Sequence, residues 1–133
     1  NSNDNSEMQG GNISDSVLGG DLPKIYFARN SSYISIEIRP ILDKLTELMK
    51  KNPTIKVELI THSDARGDAG YNLWMTEQRS KRLAQYLISK GITQDRIKTK
   101  AKGESELTNS CNDDAECTEE EHRMNRVVDV TLF

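Results

Sequence analysis

Ile38, Ile41, Leu42, Leu45, Leu48 and Met49 recur at i, i+3, i+4, i+7, i+10 and i+11, with Asp43, Lys44, Glu47 and Lys50 on the opposite side. That spacing predicts an amphipathic helix. Ser35 is placed to cap its start, and Asn52-Pro53 stops it. Pro40 is tolerated if the first turn is irregular or begins later. From Thr54 the period falls to two: Ile55, Val57 and Leu59 alternate with Lys56 and Glu58, a strand with one apolar face. The strand runs into Ser63 and Asp64, followed by a glycine-containing loop from Arg66 to Gly70. A second helix is expected from about Asn72, its apolar side formed by Leu73, Thr76, Ser80, Leu83, Ala84 and Leu87, with Gly91 ending it.

Shorter signals flank this centre. After Pro23, Lys24-Ile25-Tyr26-Phe27 reads as a first strand bounded by the turn-prone Asn30-Ser31-Ser32. Arg96 to Ala101 reads as a third strand with a basic outward side, closed by Gly103. A long polar loop follows, and Val128, Val130 and Leu132 alternate in a final strand over Val127 to Phe133. The order βαβαββ predicts an α+β fold, a two-layer α/β sandwich on a mixed sheet, with no internal repeat. Residues 1–20, rich in Asn, Ser and Gly, read as a disordered linker or expression remnant, and residues 21–133 as the single domain that 133 residues suit.

No stretch approaches the roughly 18 to 20 apolar residues of a membrane span, and no charged-then-apolar signal segment opens the chain, which reads as a mature fragment. The formal net charge is −3, but residues 1–20 hold Asp4, Glu7 and Asp15 with no Lys or Arg, so the remainder balances at 18 basic and 18 acidic residues. Asp113, Asp114, Glu116, Glu119, Glu120 and Glu121 form an acidic run that reads as a solvated face, and nowhere is there a dense Lys/Arg block. Nucleic acid is therefore not the expected partner. Cys111 and Cys117 share one polar loop, a spacing that suits a short-loop disulfide better than a metal knuckle. Paired, they imply an oxidising compartment.

In open α/β sheets ligands collect beyond the carboxyl ends of strands, where this chain carries Ser63 and Asp64. Asn72, Thr76 and Arg79, at i, i+4 and i+7, form a polar stripe along the buried edge of the following helix. Asp64 beside Arg79 suits a ligand bearing both an ammonium and a carboxylate, with free amides at the helix start adding to anion binding. The same spacing also suits a structural Asp64–Arg79 ion pair, or caps on backbone groups, and by itself leaves the choice open.

Thr61-His62-Ser63-Asp64, Gly67, Tyr71-Asn72, Met75-Thr76, Arg79-Ser80, Tyr86-Leu87 and Gly91-Ile92 together resemble the signature of the OmpA-like C-terminal domain. Lys102-Gly103-Glu104-Ser105 and Asn125-Arg126-Val127-Val128-Asp129 resemble its downstream motifs. The likeness covers about residues 22 to 133, and the loop from Cys111 to Cys117 followed by Glu119-Glu120-Glu121-His122 resembles the version common in the Bacteroidota. The resemblance implies a non-enzymatic, cofactor-free module that holds the diaminopimelate residue of the peptidoglycan stem peptide. It would lie in the periplasm, within an outer-membrane-associated protein or lipoprotein. It implies Asp64 for the ammonium and Arg79 for the carboxylate. Ser63, Asn72 and the backbone of Asp64, Ala65 and Arg66 would be supporting contacts, and Arg126 a second basic group near the pocket or a structural anchor. Other envelope proteins are expected partners only through a parent chain. A domain that docks a secretion or motor complex without wall binding is the alternative.

Three positions depart from the pattern: Ala28 stands for a frequent Asp, Thr61 for the usual Gly and Val127 for a second Arg. His62, Ser63 and Asp64 do not make a relay, because adjacent strand residues point to opposite faces. His62 is expected to pack or bond within the strand junction and His122 to face solvent, with no metal site from these residues and the cysteines. Trp74 is expected to cover the loop and core margin rather than to stack on a sugar or meet a protein.

Overall fold

A computed structural model describes residues 22–112 and 116–133. The linker expected over residues 1–20 and the acidic residues Asp113 and Asp114 lie outside the described residues. In chain order the elements are β1 (Ile25–Tyr26), α1 (Arg39–Lys51), β2 (Val57–His62), α2 (Ala69–Ser89), a 3-10 turn (Gln94–Arg96), β3 (Ile97–Gly103), α3 (Glu119–Arg123) and β4 (Val127–Leu132). The strands form one mixed sheet in the order β1-β4-β2-β3. β4 runs antiparallel to both β1 and β2, while β3 lies parallel to β2. This is the α+β arrangement expected, with one short helix added before the last strand.

The period-two run of β2 buries Val57 and Leu59, and the helical stripe of α1 buries Leu42, Leu45 and Met49 against them. Leu83 and Leu87 of α2, Ile25 of β1 and Val128 and Leu132 of β4 complete the same core. Burying a side chain of this size contributes about 1.5–3 kcal/mol, so this cluster is the main stabilising feature.

The helix ends differ in detail from expectation. Ile38, not Ser35, occupies the N-cap position of α1 and makes no side-chain cap bond. The Ser35 carbonyl instead accepts from the amides of Ile38 and Arg39, closing an extra turn before the helix. Pro40 then falls in the first turn, where its missing N–H leaves no helical bond unmade. α2 begins at Ala69, one turn before Asn72, because the Asp68 carboxylate caps the Tyr71 amide at 2.8 Å. Its far end closes at Gly91, whose φ of +104° lets the Ile92 amide reach back to the Leu87 carbonyl while Ile92 packs into the core.

Arg96 was expected to open the third strand and instead lies in the 3-10 turn. Its guanidinium donates to the carbonyls of Met49, Asn52 and Ile55 at 2.7–2.9 Å, which satisfies the C-terminus of α1 and leaves β3 to start at Ile97.

The loop after β3 contains the unanticipated helix α3. Thr118 accepts from the Glu121 amide while the Glu121 side chain accepts from the Thr118 amide, a complete capping box. The turn rotates His122 inward, so it is 5% exposed rather than solvent-facing as expected. Cys111 and Cys117 are disulfide-bonded, as their spacing suggested, and the bridge ends one residue before the α3 cap.

Candidate functional site

Ser63 and Asp64 follow directly on β2, one of the two interior strands, and both are buried. The Ser63 amide donates to the Gly103 carbonyl at the end of β3, and its hydroxyl donates to the Asp64 carbonyl. Ala65 is buried beside them. Asn72, one turn into α2, donates through Nδ2 to the carbonyls of Asp64 and Arg66 and to the Glu104 carboxylate at 2.8–3.3 Å. Ser63 and Asn72 thus fix the backbone that aims Asp64. The helix meets the strand closely at Thr61, where the usual Gly of the resembling domains is absent. The Thr61 hydroxyl fills the gap by pairing with that of Ser80 at 2.9 Å.

The Asp64 carboxylate is 5% exposed and accepts three hydrogen bonds. They come from Arg126 Nη1 at 2.7 Å, Arg66 Nη2 at 3.0 Å and the Arg66 amide at 3.1 Å. Burial alone would push its pKa up, but the bonds from Arg66 and Arg126 outweigh it and hold the carboxyl at about 2. Arg126, itself 4% exposed, also donates to the Phe27 carbonyl and to the Glu119 carboxylate. Glu119 returns to Arg66 Nη1 at 2.9 Å, so two carboxylates and two guanidinium groups alternate around a closed ring. Glu119 is therefore engaged with the site rather than part of a free solvated face; its side chain keeps 61% exposure, and the bond from Arg66 lowers its pKa despite some desolvation.

Arg79 stands apart from that ring. The sequence left open a direct Asp64–Arg79 pair, and the structure does not contain one: Asp64 pairs with Arg66 and Arg126. Nε of Arg79 donates to the Ser31 carbonyl at 2.8 Å and Nη2 to the Ala28 carbonyl at 3.0 Å, with the guanidinium 5.2 Å from the Phe27 ring centroid. Among the described residues no carboxylate pairs with it. Burial, reinforced by the nearby charge of Arg126, pulls its pKa down to about 10. Ala28 meets Arg79 through its backbone carbonyl alone, and its methyl side chain carries no charge. Val127 is buried and paired with Tyr26 in the sheet, so that substitution adds to the core instead of the rim.

Asp64, Arg66, Asn72, Ser63, Arg79 and Arg126 all line one cleft, joined by Arg29, Asn30, Tyr71 and Met75. The first six are among the residues the resemblance implied; Ala65, the seventh, is buried beside them but does not line the cleft. The sequence pattern missed Glu119, for which the Thr118-x-x-Glu121 capping signature was the available signal. It also misplaced Leu73, read as part of the apolar side of α2. Asn72, Met75, Thr76 and Arg79 take the inward face, which turns Leu73 and Trp74 outward to 43% and 49% exposure. Trp74 is half-exposed, its ring beside that of Tyr71. His62 bonds within the strand junction as expected, its Nε2 2.8 Å from Asp129 Oδ2.

Fold and cleft together define a small α+β domain whose interior strand delivers a buried carboxylate to an arginine-rich recess. The chain belongs to the OmpA family, whose sequence pattern matches residues 26–121. It is 28% identical over 100 residues to a peptidoglycan-associated lipoprotein of Rhizobium meliloti, covering 75% of this chain and 56% of that protein. It is 34% identical over 91 residues to outer membrane protein A of Serratia marcescens, covering 65% of this chain and 25% of that protein. The chain thus spans about half the length of the first relative and a quarter of the second. The peptidoglycan-associated lipoprotein of Burkholderia pseudomallei shares the fold at a TM-score of 0.74 and 18% identity, over 83% of this chain and 89% of that one. The cell wall anchor of the T6SS from Pseudomonas aeruginosa does so at 0.65 and 23% identity, over 81% and 74%.

Proposed function

We propose that this domain is a non-enzymatic wall anchor that binds peptidoglycan non-covalently through the diaminopimelate residue of the stem peptide. The observation that carries the reading is Arg79, a guanidinium 2% exposed, in the same cleft as Asp64, with no carboxylate partner among the described residues. A buried cation without a counter-ion is costly, and a ligand carboxylate would complete it. Asp64 accepts three bonds where a carboxylate has about four acceptor sites, so capacity remains for one ammonium. Diaminopimelate offers both groups at one side-chain end; lysine offers the ammonium alone. The names of the relatives support wall association, and the disulfide supports an oxidising, periplasmic setting near the outer membrane. The domain boundary at residue 21, with a linker before it, belongs to the same proposal.

Calorimetric titration with a diaminopimelate-containing stem peptide, against a lysine-containing control, tests this. The expected preference for diaminopimelate is about tenfold or more, the worth of a charge-assisted hydrogen bond. Asp64→Asn should weaken both peptides, and Arg79→Gln should erase the preference. Equal affinity for the two peptides in the unaltered protein would remove Arg79 from the role. No binding to either would favour a domain that docks envelope proteins instead.

A further inference from the structure

Tyr71 and Trp74 remain 41% and 49% exposed on the first turns of α2, their ring centroids 5.8 Å apart and tilted by 36°. The indole N–H makes no hydrogen bond among the described residues. Tyr71 also lines the cleft, so the ring pair continues the cleft wall onto the surface. The helix start that carries both rings is held firmly. Gly103 adopts φ +56°, and a Cβ there would lie 3.1 Å from the Leu73 Cα, so only glycine lets β3 approach this closely. Glu77 and Gln78, three and four residues beyond Trp74, place a carboxylate and an amide on the same side of the helix by its periodicity.

We propose that Tyr71 and Trp74 form a stacking platform for saccharide units of the glycan strand from which the stem peptide hangs. The proposal rests on the wall-anchor reading of the adjacent cleft. A pyranose presents an apolar C–H face and a hydroxylated edge, which suits an aromatic face bordered by polar side chains. A protein partner suits it less. Aromatic side chains present about 150–250 Å² each, so two half-exposed rings offer on the order of 200 Å². A stable protein interface needs about 800 Å² per partner. The geometry also fits the ligand: a peptide residue held in the cleft keeps its glycan within a few residues of chain, at most about 3.5 Å per residue.

Trp74 is the single tryptophan of the chain, so its emission reports on this surface alone. The experiment compares a bare stem peptide, the same peptide on its disaccharide, and a peptide-free N-acetylglucosamine oligosaccharide, by calorimetry and tryptophan fluorescence. The disaccharide-bearing peptide should bind about fivefold tighter than the bare one and shift the Trp74 emission. Trp74→Ala should abolish that difference and leave bare-peptide affinity unchanged, while Trp74→Phe retains part of it. Equal affinity for the two peptides with unmoved emission overturns the platform, as does a Trp74→Ala effect of equal size on both. A concentration-dependent dimer dissolved by Trp74→Ala would reassign the face to self-association and likewise overturn it. An emission shift with the oligosaccharide when the bare peptide fails to bind would sink the cleft reading and sustain the platform.

Discussion

Replacing Asp64 by alanine removes the carboxylate from beneath two guanidinium groups, and the partner left most exposed to the loss is Arg126, not Arg79. Arg126 is 4% exposed and meets Asp64 at 2.7 Å, so water cannot readily take the missing place. Breaking a buried charge pair by deleting one member costs about 3–5 kcal/mol, a large share of the 5–15 kcal/mol that holds a typical domain together. Titration gives a second route to the magnitude. The folded-state pKa of about 2 lies below the ordinary value of 3.8, so the carboxylate contributes stability above pH 3.8 that is lost as pH falls through 2. The difference is worth about 2 kcal/mol. It is smaller than the truncation cost because a protonated carboxyl still fills the space and still bonds. Asp64→Asn should fall between the two, keeping an acceptor but not the charge. Urea unfolding of the three proteins at pH 7, with the unaltered protein repeated from pH 5 to 2, measures both quantities. An alanine variant within 1 kcal/mol of the unaltered protein, together with a flat acid profile, would show that Arg126 does not depend on Asp64.

Three further outcomes follow from the geometry. Gly103→Ala should destabilise by about 2 kcal/mol or more, through its positive φ and the 3.1 Å approach to Leu73, and a neutral thermal shift would contradict that packing. Reduction of the Cys111–Cys117 bridge should cost about 2 kcal/mol for so short a loop; hydrogen exchange should quicken over α3 while β2 and α2 stay protected, and global unfolding would place the bridge in the core instead. Glu119→Gln should cost less than about 1 kcal/mol in urea despite its two arginine partners, because the side chain is 61% exposed, and a larger loss would mean that the ionic ring acts as a buried unit.

The elements with strong periodicity were legible from residues alone. The alternation of Ile55, Val57 and Leu59 and the stripe from Ile38 to Met49 depend on burial against one core, and burial is what hydrophobic spacing records. The polar stripe Asn72, Thr76 and Arg79 also pointed inward as read. What spacing cannot carry is pairing across long separations. Arg79 and Asp64 are near in sequence and share a cleft, yet apart from the bonds Asp64 accepts from neighbouring Arg66 their partners are Ser31, Ala28 and Arg126, residues chosen by how loops close over the sheet. Leu73 was misplaced for a different reason: its apolar character suggested burial, whereas the polar Asn72 occupies the inner position because it has three acceptors to satisfy there. His122 and Glu119 followed from a five-residue helix too short to show a period.

The guanidinium of Arg126 touches the Phe27 carbonyl, Asp64 and Glu119, tying together segments 99 and 62 residues earlier in the chain with one seven residues earlier. A chain that ends short of residue 126 carries Asp64 with Arg66 but lacks the guanidinium that meets the same carboxylate at 2.7 Å. The recess therefore depends on the last eight residues of the sequence as much as on the motif after β2. A truncated or stalled polypeptide would carry the β2 signature in full and still have no site.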